Sequence, residues 1–62
     1  MTAKEVIRLL EQKEWVEVRQ TGSHKIFKNS SVRNNISVPI HSGKDIRKGT
    51  LKEILKEANI RF

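Results

Sequence analysis

The sequence predicts a two-layer α+β domain in which a helix, three antiparallel strands and a second helix follow one another, with both helices on one face of the sheet. Three observations predict it. Apolar residues recur at helical spacing near each end of the chain. Between those ends, three short runs rich in β-forming residues alternate in polarity. The breaks between the runs carry turn residues, Gly22-Ser23 and then Asn29 to Asn34. At 62 residues the chain is one domain, taken as residues 1–62.

The first helix is expected from about Thr2 to Lys13. Thr2-Ala3-Lys4-Glu5 has the form of a capping box, in which the Thr2 hydroxyl accepts from the Glu5 N–H and the Glu5 carboxylate reaches back to the Thr2 N–H. Val6, Leu9, Leu10 and Lys13 then mark one face, with Ile7 beside it. Trp15 to Thr21 reads as the first strand, and Trp15 as a core anchor, since its area is too large for so small a chain to leave exposed. Trp15 and Val18 are out of phase for a regular pleat, so alternation alone does not set the face this strand buries.

Gly22-Ser23 is the turn and His24 to Asn29 the second strand. Alternation groups His24, Ile26 and Lys28 against Lys25 and Phe27. With Phe27 in the core, His24 faces away from the helices. After the polar loop Asn29 to Asn34, Asn35 to Ile40 reads as a third strand, with Pro39 restricted to an edge or an end because it cannot donate to a ladder. His41 is expected to share a face with Ser37, and so with His24. A basic connection runs from His41 through Ser42 to Lys48. Its Gly43-Lys44 lacks the glycine-rich run of a P-loop. Thr50-Leu51-Lys52-Glu53 has the form of a second capping box, followed by Leu51, Ile54, Leu55 and Ala58 at i, i+3, i+4 and i+7. Asn59 is the expected helix stop, with Ile60 and Phe62 folding back onto the core. This order is that of a small double-stranded-RNA-binding-domain-like fold.

Composition narrows the function classes. A chain this short buries only roughly 60% of the surface its unfolded form exposes, so its stability is marginal. It has no cysteine, hence no disulfide and no thiolate metal site. Its two histidines and seven carboxylates show no metal-cage spacing. A partner subunit is the expected additional source of stability. Thirteen Lys and Arg against seven Asp and Glu leave a charge of +6, which favours acidic partners. No apolar run approaches the roughly 18 residues that span a bilayer, and Lys4, Glu5 and Arg8 interrupt any leader-like core. A cytoplasmic protein with neither a membrane role nor a cofactor is expected. One Trp, two Phe and no Tyr make a base-stacking platform improbable.

The stretch Gly22-Ser23-His24 concentrates the chemistry. Glycine permits a tight turn, serine offers a hydroxyl, and histidine is the side chain best suited to proton transfer near neutral pH. Arg19, Lys25 and Lys28 surround it with positive charge, which suits work on a phosphodiester. Taken alone, the triplet fits a hairpin turn carrying a surface histidine more readily, since short motifs match by accident.

Four features in order extend that reading: Glu14-Trp15 after the first helix; Arg19-Gln20-Thr21-Gly22-Ser23-His24 with Phe27 behind it; Val38-Pro39-Ile40-His41; and Lys48-Gly49-Thr50-Leu51 leading into Ile54-Leu55. On these, nearly the whole chain resembles the HicA family of bacterial toxins, the RNA-cleaving members of HicA–HicB toxin–antitoxin pairs. The family often has Gly where this chain has Glu14, a departure that alters a turn. The resemblance implies a metal-independent endoribonuclease, an mRNA interferase that halts translation and is covered by a HicB-like antitoxin. It also implies that His24 is the catalytic histidine, presented by a loop that Gly22 and Ser23 set.

The residues admit a matching chemistry. A base that takes the proton of an RNA 2′-OH lets it attack the adjacent phosphorus, an acid protonates the leaving 5′-oxygen, and cations stabilise the phosphorane. His24 is the expected base, or shares base and acid work, and His41 is the second acid–base candidate. Lys25, Lys28, Arg33, Lys44, Arg47 and Lys48 are candidates to hold phosphates, and each also fits a solvated surface charge. Two other readings stand beside this one. One is a module that grips duplex RNA without cutting it. The other is an interaction subunit whose cationic surface docks an acidic partner.

Overall fold

The structure is a computed structural model and describes residues 1–41 and 43–61. Its elements follow the expected order: α1 (Ala3–Gln12), β1 (Val16–Thr21), β2 (His24–Lys28), β3 (Ile36–Pro39) and α2 (Lys48–Glu57). The strands form one antiparallel sheet in the order β1-β2-β3. No helix among the described residues is long and apolar enough to cross a membrane.

α1 begins as its sequence requires. Thr2 is the N-cap, the Glu5 N–H donates to Thr2 Oγ1 at 3.3 Å, and the Thr2 N–H donates to Glu5 Oε1 at 2.9 Å. Val6 and Leu10 are completely buried, while Ile7 and Leu9 lie half-buried at the sides of that face. The helix ends in a Schellman motif. The Glu14 N–H donates to the Glu11 carbonyl at 3.1 Å and the Trp15 N–H to the Leu10 carbonyl at 3.0 Å. This reversal delivers Trp15, 2% exposed, into the core. It also requires Glu14 to sit at φ +67°, in the left-handed region.

In β1 the phase conflict goes in favour of Trp15, and a bulge follows it. Glu17 pairs with Phe27 and Arg19 with Ile26, so Val18 is the extra residue. Trp15, which precedes the bulge, is in the core, while Val16 and Val18 remain 62% and 51% exposed. β2 is the central strand and buries Phe27; β3 buries Ile36 and Val38 from the same sheet face. Those three side chains form one cluster with Ala3, Val6 and Leu10 of α1, with Ile54 of α2 and with Ala58, the residue that caps α2. Both helices thus cover one face, and the other face is open. Pro39 closes β3, which is an edge strand, so its missing N–H leaves no ladder partner wanting.

α2 departs from expectation at its start. Thr50 is not an N-cap, and the capping box over Thr50–Glu53 does not form. Arg47 is the N-cap, without a side-chain cap bond, and the Leu51 N–H donates to the Arg47 carbonyl at 2.8 Å. The cause is a tertiary contact upstream. The Ile46 N–H donates to the Met1 carbonyl at 2.9 Å, Thr2 and Asp45 form a β-bridge, and Ile46 is buried. With the chain pinned at Asp45-Ile46, helical geometry begins directly afterwards and Thr50 falls within the first turn. The other end is as expected. Asn59 takes φ +57°, and a second Schellman motif joins the Ile60 N–H to the Leu55 carbonyl at 2.8 Å. Ile60 packs against the core; Phe62 lies outside the described residues.

Two predictions follow from the α1 boundaries. A non-glycine residue in the left-handed region costs about 1–2 kcal/mol, and a carboxylate at a helix C-terminus opposes the dipole. Glu14→Gly is expected to stabilise the protein by about 1 kcal/mol after the entropy that glycine loses. The measurement is the urea midpoint at constant m-value, and an unchanged or lower midpoint contradicts the prediction.

The second prediction concerns acid. The Thr2 backbone N–H, and after it the Thr2 hydroxyl, hold the Glu5 carboxyl below its ordinary range. Because the folded value is the lower one, the stabilisation is complete above the unfolded value and is lost as pH falls through the folded one. The gap in melting temperature between the natural chain and Glu5→Gln should therefore close on acidification below about pH 4. A gap that stays constant down to about pH 2 contradicts this.

Candidate active site

The β1–β2 turn is held from two sides. Thr21 and His24 pair across it, leaving Gly22 and Ser23 as a two-residue loop. Gly22 takes φ +56° at the first central position, which glycine adopts without steric cost. A Cβ built there would meet nothing within 4 Å, so the constraint is the backbone conformation and not the space. Gln20 Nε2 donates to the Gly22 carbonyl at 3.1 Å, and the Ile40 N–H, just beyond β3, donates to the Ser23 carbonyl at 2.6 Å. A β1 side chain and the end of β3 thereby fix the loop that precedes His24.

His24 is the first residue of β2 and lies opposite Pro39. It is exposed, and the pleat places it on the open face with Pro39 and Ser37. His41 emerges two residues after Pro39. The segment that follows returns along this side, so that His24 and His41 line one open cleft of about 570 Å³ together with Lys44, Arg47 and Thr50. Ser37 and Pro39 form its sheet wall, and Ile46, buried in the core, contributes to its floor. Asp45 also lines it, and its Oδ1 lies 3.6 Å from the Met1 ammonium, an exposed pair of little energetic weight. Two cationic side chains against one carboxylate leave the cleft electropositive.

The cleft can therefore offer two imidazoles for proton transfer and two cations for an anionic group. Among the described residues, no cluster of three or more His, Cys, Asp or Glu side chains stands together as a metal cage would require.

The structure divides the candidate phosphate ligands. Lys44 and Arg47 line the cleft; Lys25, Lys28, Arg33 and Lys48 do not. Lys25 lies on the helix side of the sheet, with its Nζ 3.3 Å from Glu17 Oε1. Lys28 shares the open face with His24 but stands at the other end of β2, opposite Val16. Arg33 belongs to the loop before β3. There the Ser31 N–H donates to Asn29 Oδ1 at 2.8 Å, and Asn29 Nδ2 anchors the loop to the Lys13 carbonyl at 3.0 Å. Lys48 is the first residue of α2.

Three polar lining residues, Ser37, Asp45 and Thr50, lie outside the candidates that the sequence offers. Alternation with His41 pointed to Ser37. Thr50 was assigned to a cap, and Asp45 reaches the cleft through its bridge to Thr2, a contact no local pattern announces.

The family model described as HicA toxin of bacterial toxin-antitoxin covers residues 3–60. Among curated proteins, none matches the chain.

Proposed function

The chain belongs to the HicA family of toxins from bacterial toxin–antitoxin systems, and on that premise we propose that it is a metal-independent endoribonuclease that cuts mRNA and so inhibits translation in the cytoplasm. The observation that carries the reading is the convergence of His24 and His41, 17 positions apart in sequence, on one electropositive cleft with Lys44 and Arg47.

In this reading His24 takes the proton of the ribose 2′-OH. The freed oxygen attacks the adjacent phosphorus, and the bond to the 5′-oxygen breaks as His41 supplies a proton to it. Lys44 and Arg47 stabilise the charge that gathers on the phosphorane oxygens. The nucleophile is internal to the substrate, so no step is routed through a metal. Gly22 and Ser23 act through the backbone, by setting where β2 begins and hence where the His24 ring stands. Thr50 and Ser37 supply hydroxyls for further hydrogen bonds to the strand. Lys28, on the same open face, suits a more distant phosphate, whereas Lys25, paired with Glu17 on the helix side, is the weakest of the candidates.

Membership of the family implies a cognate antitoxin. A HicB-like protein that covers the cleft would neutralise the toxin by excluding RNA, and its binding would stabilise a domain of this size by mass action.

The reading is tested by RNA cleavage in excess EDTA with the natural chain, His24→Ala and His41→Ala, each first checked for equal folding by circular dichroism. Acid–base assistance is worth about 10²–10⁴-fold, so His24→Ala is expected to lose at least about 10²-fold in rate, and His41→Ala a loss within that range. Cleavage undiminished in His41→Ala removes the two-histidine scheme. RNA binding without cleavage by all three proteins would instead identify a double-stranded-RNA-binding module.

A further inference from the structure

A second concavity lies on the other side of the sheet from the histidines. It runs between α1 and the neighbouring ends of β2 and β3 and has a volume of about 380 Å³. Ala3 and Ile7 of α1 and Ile40, just beyond β3, supply its apolar surface, and Lys4, Arg8, Glu11 and Lys25 stand around it. Ile7 and Ile40 are only half-buried although they pack against the core. Neither the cleavage chemistry nor the packing of the domain uses this groove.

We propose that the groove seats an acidic segment of the cognate antitoxin that carries an apolar side chain. The apolar walls call for a hydrocarbon group, and Lys4 and Arg8 at the rim call for carboxylates beside it. Nucleic acid fits less well. A phosphate backbone gains nothing from the apolar surface of Ala3, Ile7 and Ile40, which an apolar side chain of a peptide fills. A second copy of this chain fits less well too, because two molecules of charge +6 repel one another.

The position of the groove adds a geometric reason. Pro39 and His41 line the histidine cleft, while Ile40, between them, lines the groove. β3 is an edge strand, so the two concavities meet along an edge of the sheet that no other strand covers. A single partner passing over that edge can fill both. Covering the cleft would block the chemistry, and filling the groove would supply the apolar anchor that the polar cleft lacks.

The test is the affinity of the purified antitoxin for the full chain and for the double variant Lys4→Glu/Arg8→Glu, by isothermal titration calorimetry. Both positions are exposed, and at position 4, in the first turn, an acidic residue suits the helix dipole; circular dichroism verifies that α1 persists in the double variant. Lys52→Glu/Lys56→Glu, on the exposed side of α2, makes the same change of net charge away from the groove. The expected result is at least a tenfold weaker dissociation constant for the α1 pair and less than a threefold change for the α2 pair. A change below twofold in the α1 pair, or equal losses in both pairs, overturns the proposal. Loss of RNA binding in the α1 pair with antitoxin binding intact assigns the groove to nucleic acid and also overturns it. Because the readout is antitoxin affinity, the result does not depend on whether the chain cuts RNA.

Discussion

A chain of 62 residues can cover only one face of its sheet, and the rest of the structure depends on that limit. Two ten-residue helices lie over Phe27, Ile36 and Val38, and the opposite face carries His24, Ser37 and Pro39, met by the connection before α2 at one end. Strand geometry then sorts every residue of β2 and β3 into one of two environments. Phe27 must enter the core, so His24, three positions earlier, must face out. Val38 must enter, so Ser37 and Pro39 must face out. A slip of one residue in register would exchange the two sets and expose the core, which is why the register is well specified. The exposed histidine is thus a consequence of where the large apolar side chains had to go.

The ends of the helices carry the cost of so short a chain. Each helix reverses through a Schellman motif, and each has a side chain, Glu14 or Asn59, where the backbone is left-handed. Asparagine tolerates that conformation better than glutamate does. The Glu14 reversal nevertheless holds, because Trp15, the next residue, is almost fully buried and anchors the chain between helix and sheet. At the start of α2, the Arg47 side chain makes no cap bond. That start is set by the backbone contacts of Thr2 and Met1 with Asp45 and Ile46, which join the beginning of the chain to the residues before the last helix. Those same contacts carry Asp45, Arg47 and Thr50 to the cleft.

Where neighbours in sequence decide the conformation, the sequence was legible. The α1 capping box, the burial of Trp15, the outward His24, the edge position of Pro39 and the stop at Asn59 all rest on interactions within a few residues or on strict alternation. Where distant parts of the chain decide, it was not. Thr50-Leu51-Lys52-Glu53 has the letters of a cap, but the bridge to Thr2 starts the helix earlier. Val18 has the composition of a core residue, but the burial of Trp15 between helix and sheet sets the phase of β1 and leaves Val18 exposed. Lys25 is a different case: the alternation that put His24 on the open face already put Lys25 with Phe27, and positive charge alone was not enough to place it beside the histidine. Alternation could place His24 and His41 on one face, but only the return of the chain through Asp45 and Ile46 forms a cleft around them.

What ties this geometry to chemistry is the claim that the substrate supplies its own nucleophile. The most direct measurement is cleavage of an RNA of defined sequence, with the product ends read by mass spectrometry, beside the same strand carrying a single 2′-deoxyribose at the scissile position. Attack by the 2′-oxygen predicts a 2′,3′-cyclic phosphate and a 5′-hydroxyl from the RNA, and no cut at the substituted site. A cut at the deoxyribose, or a 5′-phosphate on the product, would show that water or a protein group attacks the phosphorus and would contradict the roles assigned to His24 and His41.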